Sequence, residues 1–130
     1  MNARILYIED NDQNYYLVSF ILSARGHSVE RARDGQEGLA RAAAGEARLI
    51  LLDMQLPRMD GYAVARELRL IPRLRGLPIV ALTSYAMAGD REKAMAAGCT
   101  GYIEKPIQPD TFATQVEQYL AAQPAGGGAP

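Results

Sequence analysis

The chain has 130 residues, 48% of them hydrophobic and 22% charged, with a formal net charge of −1; this suits one globular domain with a single core and is too short for two. The near-zero charge, with arginines scattered along the chain, argues against a surface built to grip nucleic-acid phosphates. One cysteine, Cys99, excludes an internal disulfide, and no apolar run approaches the roughly 18 residues that cross a bilayer.

From the N-terminus, a short apolar run over residues 4–8 stops at Glu9, too short and too acidic at its end for a signal peptide. The expected compartment is the cytoplasm. Leu17, Val18, Ile21 and Ala24 follow at helical spacing, and Gly26 stands where a helix stops. His27 precedes a weaker strand over residues 28–32 and reads as a surface or partly buried side chain. Asp34 with Glu37 gives a capping-box start to an Ala-rich helix that runs to Ala44. Residues 49–52 and 79–82 are continuously apolar, the pattern of strands buried on both faces. Between them Val64, Leu68 and Ile71 make a helical stripe, and after them Met87, Ala94 and Met95 make another, ending at Gly98. Cys99 reads as a small buried residue ahead of a fifth strand over residues 101–103. Phe112, Val116, Tyr119 and Leu120 mark a last helix. Residues 124–130 contain only Pro, Ala and Gly and read as a disordered tail or linker stub, which leaves 1–123 as the domain.

Strand and helix thus alternate five times, which predicts an α/β fold: a doubly wound parallel sheet in a three-layer α/β/α sandwich. In such a sheet all strands point one way and ligands bind at the carboxyl edge. Glu9 and Asp10 fall just past the first strand, Asp53 ends the third, Thr83 ends the fourth, and Lys105 follows the fifth. Three carboxylates held together repel one another, and a hard divalent cation relieves that repulsion. A carboxylate can be a nucleophile, a lysine can pair with phosphate oxygens, and a threonine hydroxyl can donate to one. Taken singly, each residue also has a plain reading. Residues 9–12 would cap a helix, Asp53 would sit in a turn, Thr83 would cap the next helix and Lys105 would be a solvated loop charge.

The segments Ile5-Leu6-Tyr7-Ile8-Glu9-Asp10-Asn11, Leu51-Leu52-Asp53-Met54-Gln55-Leu56-Pro57, Pro78-Ile79-Val80-Ala81-Leu82-Thr83-Ser84 and Gly101-Tyr102-Ile103-Glu104-Lys105-Pro106 together resemble bacterial two-component response-regulator receiver domains over roughly residues 3 to 122. Within that family the chain looks most like single-domain cell-division regulators and the receivers of hybrid kinases. The resemblance implies a flavodoxin-like, chemotaxis-receiver-like sheet of order 2-1-3-4-5. It implies Asp53 as phosphoacceptor and Mg²⁺ (or Mn²⁺) ligated directly by Asp10, Asp53 and the carbonyl of Gln55, with Glu9 acting through a bound water. Lys105 would pair with the phosphoryl group, Thr83 and Tyr102 would switch together, and Pro106 would follow a cis peptide bond. A bulky Tyr85 would screen the hydrolytic water.

The implied protein is a signalling phosphoacceptor, not an enzyme. Its only chemistry would be self-phosphorylation and slow dephosphorylation. Its partners would be a histidine kinase or histidine phosphotransfer protein and an unidentified downstream protein, met on a face formed by residues 86–97, 101–104 and 110–122. It would be a monomer or weak dimer, with no nucleic acid, no membrane and no appended output domain. A receiver cut from a larger hybrid kinase or multidomain regulator is the alternative. A flavodoxin fits poorly, because residues 9–12 would repel a phosphate at the first loop. An aspartate-nucleophile phosphatase fits poorly too, because Gln55 stands where that class has a second Asp. A structural module with an inert acid pocket is the remaining rival.

Overall fold

A computed structural model describes residues 2–56, 60–84 and 89–122. Its elements alternate as the sequence predicts: β1 (Arg4–Ile8), α1 (Asp12–Ser23), β2 (Ser28–Ala32), α2 (Gly35–Ala44), β3 (Leu49–Asp53), α3 (Gly61–Arg69), β4 (Ile79–Thr83), α4 (Asp90–Ala96), β5 (Gly101–Glu104) and α5 (Phe112–Ala122). The strands pair in parallel in the order β2-β1-β3-β4-β5. A 3₁₀ turn at Pro72–Leu74, not anticipated from the sequence, buries Leu74 between α3 and β4.

Side chains alternate across the sheet with period two. Leu6, Ile8, Ile50, Leu52, Ile79 and Ala81 join Val64, Leu68 and Ala94 on one face, beneath α2, α3 and α4. Ile5, Tyr7, Leu49, Leu51, Val80, Leu82 and Ile103 join Val18, Leu22, Phe112, Val116 and Leu120 on the other, beneath α1 and α5. Helices cover both faces, so β3 and β4 are buried at every position, the physical basis of their unbroken apolar runs. β5 meets α5 closely. A Cβ added at Gly101 would lie 2.2 Å from the Tyr119 ring, so only glycine fits there.

Three local expectations need correcting. The buried stripe of α1 is Val18, Ile21 and Leu22, at i, i+3 and i+4; Leu17 and Ala24 turn outward beside exposed Tyr16 and Phe20. The reciprocal capping box is only half formed, because Asp34 accepts from the Glu37 N–H while Glu37 reaches the N–H of Arg33. His27 is buried, not on the surface; its Nδ1 accepts from the Ala3 N–H and its Nε2 faces Glu117 at 2.8 Å. Met87, Tyr85, the first part of the anticipated fourth helix and the 124–130 tail lie outside the described residues.

Candidate functional site

Parallel strands of similar length bring their carboxyl ends to one edge, and register aligns them: Asp53 pairs with Leu82, and Thr83 with Glu104. Asp53, the last residue of β3, is only 3% exposed. One of its oxygens, Oδ1, accepts from the Lys105 ammonium at 3.1 Å and from the Gln55 backbone N–H at 2.9 Å. Lys105 reaches it from just beyond β5, where its own N–H donates to the Thr83 carbonyl at 2.8 Å and its bond to Pro106 is cis.

Glu9 and Asp10 share a chemistry and differ in setting. Asp10 is exposed, whereas Glu9 is turned inward and 1% exposed. The Tyr7 hydroxyl (2.8 Å) and the Asn14 amide (3.2 Å) donate to Glu9 Oε1, and the Asn11 N–H (3.2 Å) donates to Oε2. Ligand atoms of Glu9, Asp10 and Asp53 lie within 4.8 Å of one another. Burial, then the hydrogen bond and charge of Asp53, push the Glu9 carboxyl up to about 7, against the pull of Tyr7 and Asn11. Burial and the neighbouring Glu9 push the Tyr7 phenol far above its ordinary value, so it stays a proton donor.

The donor set fits a hard divalent cation: three carboxylates, all oxygen, with more negative charge than Lys105 alone offsets. Nothing in it suits a soft metal, because Cys99 is buried between α4 and β5, away from the edge, with its thiol pushed up to about 11 by burial.

Thr83 is buried at the end of β4, and its hydroxyl oxygen accepts from the Gln55 side-chain amide at 2.8 Å. Tyr102 stands on the neighbouring strand, on the same face of the sheet as Thr83. It is half-buried on β5 with its ring against the face under α2, α3 and α4, and its N–H donates to the Tyr119 hydroxyl at 3.3 Å. The fold therefore gathers Glu9, Asp10, Asp53, Gln55, Thr83 and Lys105, and sets Tyr102 beside Thr83 on the neighbouring strand, two residues before the pairing partner of Thr83.

Three residues at the edge escaped the sequence reading, and a fourth was anticipated only as part of a segment. Tyr7 passed for plain core, although period two puts it on the side of Glu9. Asn14 hides inside a helix. Of residues 9–12, expected to cap a helix, it is Asn11 that caps α1, its side chain accepting from the Asn14 N–H. Arg31, from the edge strand β2, donates to the Glu9 carbonyl and to Asp12 and lies over the Tyr15 ring at 4.9 Å.

A family model described as the response regulator receiver domain matches residues 5–117. The polar-differentiation response regulator DivK of Brucella abortus is 37% identical over 120 residues, which is 92% of this chain and 98% of that protein. Among solved structures, the chemotaxis protein CheY4 of Vibrio cholerae superposes with a TM-score of 0.86 at 28% identity, over 92% of this chain and 99% of that one. The receiver domain of a sensor histidine kinase from Pseudomonas aeruginosa, solved with magnesium coordinated in its active-site cleft, superposes with a TM-score of 0.85 at 32% identity, over 94% of this chain and 100% of that one.

Proposed function

The chain belongs to the response regulator receiver family of two-component signalling, and we propose that it accepts a phosphoryl group on Asp53 from a phosphohistidine donor and signals the change to a protein partner. The observation that carries this reading is the setting of Asp53: buried at a strand end, paired with Lys105 at 3.1 Å and close to two further carboxylates.

In the proposed reaction a carboxylate oxygen of Asp53 attacks phosphorus in line. The phosphorus–nitrogen bond of the donor histidine breaks, and its imidazole leaves with the electron pair. The product is an acyl phosphate. The Lys105 ammonium, already on Asp53, pairs with the arriving phosphoryl oxygens. Thr83 donates its single hydroxyl proton to one of them. The carboxylates of Glu9, Asp10 and Asp53 and the carbonyl of Gln55 would hold Mg²⁺. A bound divalent cation supplies charge neutralisation at the phosphoryl oxygens and fixes their orientation. Tyr7, Asn11 and Asn14 keep Glu9 aimed at that position instead of at solvent.

The donor must bring its phosphohistidine to the edge between Asp10 and Lys105. From that edge α1 runs away along the surface and presents Tyr16 and Phe20, 66% and 76% exposed, an apolar area suited to a helical partner. Output would follow when Thr83 turns toward the phosphoryl group and Tyr102, on the next strand, moves into the space it leaves. The face of α4, β5 and α5 would then change for a downstream protein. The receiver of a sensor kinase resembles this chain as well as single-domain receivers do, so the reading holds equally for a receiver unit of a larger hybrid protein.

Acetyl phosphate with Mg²⁺ tests the reading without a donor protein. Intact-mass analysis should find one added phosphate, absent in Asp53→Asn and absent with chelator. Labelling that persists in Asp53→Asn, or that ignores chelation, removes Asp53 from its role.

A further inference from the structure

Gln55 lies two residues beyond Asp53, and its side chain crosses to the neighbouring strand. The amide nitrogen donates to the Thr83 hydroxyl oxygen at 2.8 Å, and the amide oxygen accepts from the Ser84 backbone N–H at 3.2 Å. The second contact settles which end of the amide is which. A backbone N–H can only donate, so the oxygen faces Ser84 and the NH₂ faces Thr83. One neutral side chain thus holds both the hydroxyl at the end of β4 and the backbone of the first residue beyond it. Gln55 is anchored in turn, because its own N–H donates to Asp53 Oδ1 at 2.9 Å. A continuous chain of hydrogen bonds therefore runs from Lys105 through Asp53 and Gln55 to Thr83 and Ser84.

We propose that the Gln55 side chain is a positioning residue that latches Thr83 and the start of the β4–α4 connection in the arrangement of the unphosphorylated protein, and so sets the threshold at which a phosphoryl group on Asp53 switches the molecule. The proposal rests on the receiver reading and adds a control element to it. The Gln55 amide holds the Thr83 oxygen where it stands, at 2.8 Å, so a rotation or shift that carries the hydroxyl toward a phosphoryl oxygen on Asp53 draws that oxygen away from the amide. Ser84 follows Thr83 directly, so a shift of the strand end strains the second bond as well. Both bonds come from one side chain and are given up together. The resting state gains what the switched state forgoes, and a ligand of the switched state must overcome the difference. A bland role, in which Gln55 merely satisfies buried polar groups, predicts lower overall stability and no link to the Thr83 hydroxyl.

The test is a double-mutant cycle on the affinity for beryllofluoride, a phosphoryl mimic, with Mg²⁺, read by calorimetry. Gln55→Met keeps the length and removes both bonds. It should tighten beryllofluoride binding by about three- to tenfold, the worth of one or two such bonds. Its ligand-free amide shifts at Thr83, Ser84 and Tyr102 should move toward those of the beryllofluoride-bound wild type. Gln55→Asn, one methylene shorter, should act in the same direction and covers a folding failure of the first variant. In a Thr83→Ala background, where only the longer Ser84 bond remains to be lost, the Gln55→Met substitution should have a clearly smaller effect on affinity than in the wild type. In a Thr83→Ser background, which keeps the hydroxyl, the full effect should return. Unchanged or weaker binding in the Gln55 variants, or an equal effect with and without the hydroxyl, overturns the latch while leaving the receiver reading standing. Wild-type protein that binds no beryllofluoride overturns both.

Discussion

Adjacent acids at the end of β1 show how much one position changes a carboxylate. Asp10 stays in solvent, whereas Glu9 is enclosed beneath Asp53 and its donors. Because burial and Asp53 raise the Glu9 carboxyl from 4.5 to about 7, the folded chain holds a proton there that the unfolded chain releases. Between those values the native state binds more protons, so stability falls as pH rises through the window. The contribution is therefore unfavourable above about pH 7 and absent below 4.5. Mg²⁺ must compete with the same proton, so its affinity should weaken as pH falls below about 7, and Glu9→Gln should flatten that slope. Calorimetric titrations of Mg²⁺ between pH 5.5 and 8, roughly spanning the shift, check this; a wild-type affinity that does not vary over that range places the shared proton elsewhere. The acids themselves were legible because each follows an apolar run whose strand must end there. Tyr7 and Asn14 were not, because their role depends on which way Glu9 turns, and nothing in the sequence states that.

At the level of elements, strands were read more closely than helix faces. A strand buried on both sides needs only an apolar run, and β3 and β4 differ from expectation by one residue each, Asp53 and Thr83, polar side chains that end the run but remain in the ladder. A helix face needs the right phase, and in α1 an exposed apolar patch at Tyr16, Leu17 and Phe20 competes with the buried stripe and shifts the apparent phase. The place of His27 was hidden for another reason: it ties together segments distant in sequence. Its Nδ1 accepts from the Ala3 N–H at 3.1 Å, so the ring proton lies on Nε2, which faces Glu117 of α5. The same hydrogen bond holds the Glu117 carboxyl below its ordinary range. This clamp joins the start of β1 to α5 at the edge of the sheet opposite Asp53. His27→Ala leaves a buried N–H without its acceptor and opens a void, so it should cost about 2–3 kcal/mol in urea unfolding. Phosphate incorporation from acetyl phosphate should be unchanged. A loss below about 0.5 kcal/mol would mean that solvent replaces the imidazole.

Across the whole molecule, the acid cluster opposes the fold that creates it. Unfolding separates Asp53 from Glu9 and Asp10 and relieves their repulsion, while folding brings their ligand atoms within 4.8 Å of one another. The three elements involved are the first loop, β3 and, through Lys105, the segment after β5, so the site spans the centre of the sheet from β1 across β3 and β4 to β5. A cation bound there would act on the cooperative unit as a whole, and the unfolded chain offers no matching site. Mass action then gives about 2.7 kcal/mol of added stability at a hundredfold excess over the dissociation constant. Mg²⁺ should raise the melting temperature progressively over the millimolar range. NaCl at equal ionic strength should do less, because screening acts weakly on buried charge. Asp10→Asn separates the two parts of the argument. With one carboxylate neutralised, the metal-free protein should melt at a slightly higher temperature than wild type, and the Mg²⁺ response should shrink. A general salt effect would raise both proteins alike, and an inert pocket would leave both unmoved by Mg²⁺. Only a site that resists its own assembly, and is relieved by a divalent cation, gives the crossed pattern of a higher starting point and a smaller response.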